Sequence, residues 1–81
     1  VKKLGSQKIK AYILLVTAVG KETEVINSLK SLQEVKEANA LYGEYDGIVE
    51  VEANDMQHLN KVVMQIRRNS AILKTVTLIV M

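Results

Sequence analysis

Three groups of residues in this 81-residue chain have types and spacing that could do chemistry: the single histidine His58, the acidic pair Glu50 and Glu52, and the polar run LYGEYDG at residues 41–47. Nucleophilic catalysis needs a thiol or hydroxyl beside a base. The chain has no Cys, and His58 falls on the polar side of a helical pattern, opposite Leu59, Val62 and Ile66, where it reads as a plain surface residue. No HxH, HxxxH or CxxC spacing gathers metal ligands, so neither a metal nor a cofactor is expected. Glu50 and Glu52 share one face of a strand, where carboxylates are ordinarily solvated or salt-bridged across an interface rather than paired for acid-base work. Phosphate cradles need Gly-rich turns feeding a helix; only Gly20 stands in such a place, without a GxxxxGK or GxGxxG pattern. The run at 41–47 has a conformational reading: Gly43 supplies a positive φ, Asp46 bonds nearby backbone, and Tyr42 and Tyr45 brace a hairpin.

Periodicity delimits the elements that position these residues, because the chain has no Pro and only four Gly. Residues 10–18 (KAYILLVTA) are apolar on both faces: Ala11, Ile13, Leu15 and Thr17 point one way, and Tyr12, Leu14, Val16 and Ala18 the other, as expected of a central strand. After Gly20, Glu22 and Glu24 suit a helix N-terminus, and Val25, Ile26, Leu29 and Leu32 form one stripe. Residues 35–42 are extended, Gly43 and Glu44 make a tight turn, and residues 45–53 return with Val49, Val51 and Ala53 alternating against Glu50 and Glu52. Asn54 or Asp55 caps a second helix, in which Met56, Leu59, Val62, Val63 and Ile66 repeat at helical spacing before Arg67 and Arg68. Residues 73–81 form the last strand, with Val76, Leu78 and Val80 opposite Thr75, Thr77, Ile79 and Met81.

The order is βαββαβ, and its two helix-then-strand halves resemble weak internal repeats. The expected fold is α+β, ferredoxin-like: a four-stranded antiparallel sheet with both helices on one face. The other face then carries Ile13, Leu15, Ile79 and Met81, or their register alternatives. Apolar sheet surface left in water marks an association site, so a sheet-to-sheet dimer is expected. Small domains need such support when disulfides and metals are absent.

Composition narrows the partners. The net charge is +2, but Lys2, Lys3, Lys8 and Lys10 lie in a basic lead-in at residues 1–10. From Ala11 onward seven Lys and Arg face nine Asp and Glu, a net −2 that phosphate backbones repel. RNA binding on such a sheet calls for exposed aromatics, yet Phe and Trp are absent. No apolar run spans a bilayer and no secretory leader is evident, so the expected setting is cytoplasmic and soluble.

Residues 35–81, beginning VKEANALYGEYDGIVEVEA and ending LKTVTLIVM, resemble the ligand-binding or RAM domain of Lrp/AsnC transcription regulators, and the likeness extends over residues 11–81. Its most specific elements are the Gly-x-Tyr-Asp turn at Gly43, Tyr45 and Asp46 and the Thr75-x-Thr77 strand. The resemblance implies a non-enzymatic, amino-acid-binding regulatory module that forms homodimers and rings of dimers. It places the ligand between dimers, at Tyr42, Gly43, Tyr45, Asp46, Thr75 and Thr77. Asp46 would accept from the ammonium, while the Gly43 amide or the Thr hydroxyls would donate to the carboxylate. Only about ten residues precede the first strand, too few for the family's helix-turn-helix. The implied protein is a stand-alone form that does not bind DNA directly and acts through full-length Lrp/AsnC paralogues. Gly47 departs from the family's larger aliphatic, implying room for a bigger ligand or closer packing between subunits, and Ser70-Ala71-Ile72 lacks the common Gly. Two alternatives share the fold: an ACT-like regulatory domain, with its site at residues 17–21, and a small dimeric α/β-barrel enzyme, which needs a polar base between sheet and helices.

Overall fold

The structure is a computed structural model that describes residues 8–81; residues 1–7, most of the basic lead-in, lie outside the described residues. The elements run β1 (Ile9–Thr17), α1 (Glu22–Leu29), β2 (Val35–Ala40), β3 (Gly47–Ala53), α2 (Met56–Arg67) and β4 (Ile72–Ile79). This is the expected βαββαβ order. The strands pair antiparallel in the order β2-β3-β1-β4, which puts the doubly apolar β1 inside the sheet.

Glu22 and Glu24 occupy the first turn of α1, where carboxylates favour the positive end of the helix dipole. Asp55 caps α2, its Oδ1 accepting from the His58 amide at 2.8 Å. Both helices lay their apolar stripes on one sheet face. Val25, Ile26 and Leu29 of α1 and Leu59, Val62 and Ile66 of α2 bury there against Ala11, Ile13, Leu15, Val49, Val51 and Ala53. Met56, expected in that stripe, lies at its margin and is exposed.

Cross-strand register decides which side of β1 meets the helices, and it corrects one expectation. Ile13 pairs with Val49 and Leu15 with Gly47, so Ile13 and Leu15 lie under the helices, fully buried. Ile79, opposite Ala11, is on that side too. The open face is formed by the alternative set: Tyr12, Leu14 and Val16 of β1, Ile48 of β3, and Val76 and Leu78 of β4. Lys10, Glu50, Glu52 and Lys74 frame this apolar band.

The hairpin also differs from expectation. The strands stop at Ala40 and restart at Gly47, leaving a six-residue connection at 41–46 rather than a tight turn. The Leu41 amide closes it by donating to the Asp46 carbonyl at 2.8 Å. At Gly47 a Cβ would stand 2.9 Å from Ile26 Cδ1 and 3.4 Å from the Asn39 carbonyl oxygen. The space left by the absent side chain is therefore filled by helix α1 of the same chain, and neither a larger ligand nor a neighbouring subunit takes it.

Candidate functional site

The Gly-x-Tyr-Asp turn is built around Asp46. Its backbone amide donates to the Leu15 carbonyl at 2.7 Å, its carbonyl accepts from Leu41, and its Oδ2 accepts from the Thr17 amide at 2.8 Å, 29 residues away in sequence. The carboxylate thus reaches across to β1 rather than to nearby backbone. Gly43 has φ 149°, a conformation that disfavours side chains. Tyr42 is fully exposed and braces nothing within the chain, whereas Tyr45 is half-buried. The loop accordingly presents one free-standing aromatic ring and a Gly backbone on a base fixed by a carboxylate.

Thr75 and Thr77 lie on the edge strand β4, half-buried, opposite Leu15 and Ile13 of β1. Leu15 is flanked by Gly47 on one side and Thr75 on the other. The fold therefore brings Asp46 and Thr75 to the same end of the sheet, two strand spacings or about 10 Å apart. Thr77 is set back by two residues. Gly43 and Tyr42 are at the loop tip, so within one chain the six residues form two clusters, a loop and a strand edge.

Elsewhere the two carboxylates of the β3 outer face each meet a lysine of a neighbouring strand. Glu50 meets Lys10 at 3.4 Å and Glu52 meets Lys36 at 3.9 Å, so the two carboxylates are not a catalytic pair. The Tyr12 phenol and the Glu50 carboxylate hold the Lys10 ammonium protonated above its ordinary range. Among the described residues no group of three or more His, Asp or Glu could hold a metal ion. Among the described residues Thr17 is the one buried polar or charged residue, so none of them places a general base between sheet and helices. No helix of the described residues is long and apolar enough to cross a membrane.

His58 has more to do than its place on a polar helix face implies. Its Nδ1 accepts from the Asn54 amide at 2.9 Å, which puts the ring proton on Nε2, and Nε2 faces Glu34 Oε2 at 3.0 Å. With Asp55 accepting from the His58 amide, the two side chains tie down the helix start as a variant of a capping box, His58 reaching back to the Asn54 amide instead of to the N-cap amide. The hydrogen bond from His58 holds the Glu34 carboxyl below its ordinary pKa. A polar hollow of about 310 Å³ opens beside the pair, with Lys36 and Glu52 on its wall. The spacing Asn54-Asp55-x-x-His58 was the available signal for the cap; nothing local announces Glu34.

The Lrp/AsnC ligand binding domain family matches residues 10–81. The crystal structure of FFRP-DM1 is similar at 44% identity and a TM-score of 0.86, over 90% of this chain and 99% of that one. A hypothetical protein, PHS023 from Pyrococcus horikoshii, is similar at 44% identity and 0.86, over 90% and 89% of the two chains. AsnC from E. coli shares the fold, with a TM-score of 0.87 at 23% identity; this chain is covered completely and AsnC over 58% of its length. No curated protein sequence matches. Membership of a ligand-binding domain family indicates a regulatory domain rather than an enzyme. The chain belongs to the Lrp/AsnC ligand binding domain family.

Proposed function

We propose that this domain binds a free amino acid at the hairpin end of its sheet and that the complete site forms where subunits meet. The observation that carries this reading is the loop at 41–46. Three hydrogen bonds, one of them to a carboxylate, fix its base, while Tyr42 and Gly43 stand outward with nothing of their own chain to hold. An amino acid needs an anionic acceptor, hydrogen-bond donors and apolar wall. Asp46 offers its second carboxylate oxygen, the loop amides and Thr75 and Thr77 offer donors, and the Tyr rings offer wall. In one chain these groups lie in two clusters, and a second dimer would close the space between them. The transcriptional regulator NMB0573 from Neisseria meningitidis, which shares this fold over 49% of its chain at 20% identity and a TM-score of 0.76, was solved as an L-Met complex.

The proposed assembly is a dimer through the open sheet face, with dimers joining into a ring. Tyr12, Leu14, Val16, Ile48, Val76 and Leu78 supply the apolar surface for the first contact. As a regulatory module the assembly would modulate transcription by joining full-length paralogues that carry DNA-binding segments. Isothermal titration against the twenty amino acids tests the binding. At least one is expected to bind, with affinity falling at least tenfold in Tyr42→Ala and in Thr75→Ala. Absence of heat from all twenty, or undiminished binding in both variants, overturns the assignment.

A further inference from the structure

The β1·β3 register fixes what Asp46 does. Pairing runs from Ile9↔Ala53 to Leu15↔Gly47, where the Asp46 amide already donates out of register to the Leu15 carbonyl at 2.7 Å; an unbroken ladder would have set Thr17 against Tyr45, with the Tyr45 carbonyl as acceptor for the Thr17 amide. That bond is replaced. The Thr17 amide donates instead to Asp46 Oδ2 at 2.8 Å, and the chain from Tyr45 back to Leu41 leaves the ladder to become the exposed loop. A side-chain carboxylate has taken over from a backbone carbonyl at the place where the strand pair ends.

Thr17 is also where β1 loses its regular partnership on the other side. The β1·β4 register shifts between Val16 and Thr17, and the next amide, Ala18, donates to the Ala71 carbonyl at 2.8 Å. Thr17 itself is 5% exposed, and its Oγ1 is buried without a hydrogen-bond partner. One buried residue therefore joins the hairpin loop, the start of β4 and the connection into α1, and holds an unsatisfied hydroxyl while doing so.

We propose that Thr17 is a positioning residue of the ligand site, acting through Asp46, and that an ammonium-bearing ligand at Asp46 is registered at the Thr17 amide. This rests on the amino-acid-binding reading above. The ammonium and the Thr17 N–H draw on the same carboxylate charge, so occupation of the site alters the bond that ends β1. From there the change passes to the Ala18–Ala71 bond and to the loop entering α1, away from the loop that touches the ligand.

Amide resonances and hydrogen exchange of the ¹⁵N-labelled whole chain test this in two arms. Without ligand, Asp46→Asn keeps an oxygen acceptor but removes its charge; the Thr17 amide proton is expected to move upfield and to exchange roughly tenfold faster, since a charge-assisted bond is about twice as strong as a neutral one. Thr17→Val retains the amide and should keep its low-field position, which guards against a variant that merely misfolds. An unchanged Thr17 amide in Asp46→Asn overturns the clasp. In the second arm, an amino acid that binds by titration should shift the Thr17 and Ala18 amides while leaving Ala11 and Ile13 in place; binding that leaves Thr17 unmoved overturns the coupling. If no amino acid binds, the functional reading falls and the first arm still decides the clasp.

Discussion

Thr17 Oγ1 is the one buried side-chain polar atom without a partner among the described residues, and it sets a stability test of its own. A buried unsatisfied hydroxyl costs about 1–3 kcal/mol, and Val has nearly the shape of Thr. Thr17→Val is therefore expected to raise the urea midpoint, a gain of about 1 kcal/mol; a loss would mean that the hydroxyl has found a partner. His58 has the opposite sign. His58→Ala removes the acceptor for the Asn54 amide and the partner of Glu34, and should cost about 1–2 kcal/mol. Because the Glu34 carboxyl is held below its ordinary pKa, its contribution is complete above the ordinary carboxylate range and is lost as pH falls through the lowered folded value. Denaturant midpoints from neutral pH down to about 3 should show the stability advantage over Glu34→Gln shrinking toward the acid end. A constant difference would contradict the pairing.

Helix α1 owes its seat on the sheet to Gly47, and a pair of substitutions measures that. The φ of Gly47 is not in the positive range, so Ala fits the backbone, but its Cβ would stand 2.9 Å from Ile26 Cδ1. Overpacking of this kind costs roughly 1–3 kcal/mol. Gly47→Ala should lie at the low end, because the opposing atom ends a side chain, and Ile26→Val, which removes that atom, should recover most of the loss in the double variant. Additive losses would show that the contact is not the cause. At this scale most of the fold was legible. The alternation of Val49, Val51 and Ala53 against Glu50 and Glu52 defines β3, and helical spacing over Leu59, Val62 and Ile66 defines α2. The side of β1 that meets the helices was not, because both of its faces are apolar. Only its pairing with β3, whose polarity is unambiguous, assigns Ile13 and Leu15 to the core. The loop at 41–46 escaped for a related reason: Leu41, Tyr42 and Tyr45 have strand-like side chains, and the event that ends the ladder is an Asp46–Thr17 bond spanning 29 residues. The six candidate site residues could be named from the family's pattern and assigned to a turn and the last strand, but that this strand is a sheet edge and that two strand spacings separate the two groups emerges only from the register.

Taken whole, the molecule is two layers, helices on a sheet, and the second face of the sheet has no covering layer. The helices cover one face of the sheet, and on the other Leu14, Val16, Ile48 and Val76 remain half-buried while Leu78 is 51% exposed. Contiguous apolar surface of this kind is characteristic of an interface. A Lys at the centre of the band would be desolvated on association without a partner. Leu14→Lys is therefore expected to weaken self-association at least a hundredfold, about 3 kcal/mol, while leaving far-UV circular dichroism unchanged. The proposed mechanism depends on this surface, since a ligand site between subunits exists only if the subunits assemble. The most direct test is the mass of the unmodified protein by light scattering at micromolar concentration. An assembly of at least two 9.0 kDa chains is expected, growing or shrinking in whole dimers when a bound amino acid is added. A 9.0 kDa monomer, with or without amino acid, would contradict it.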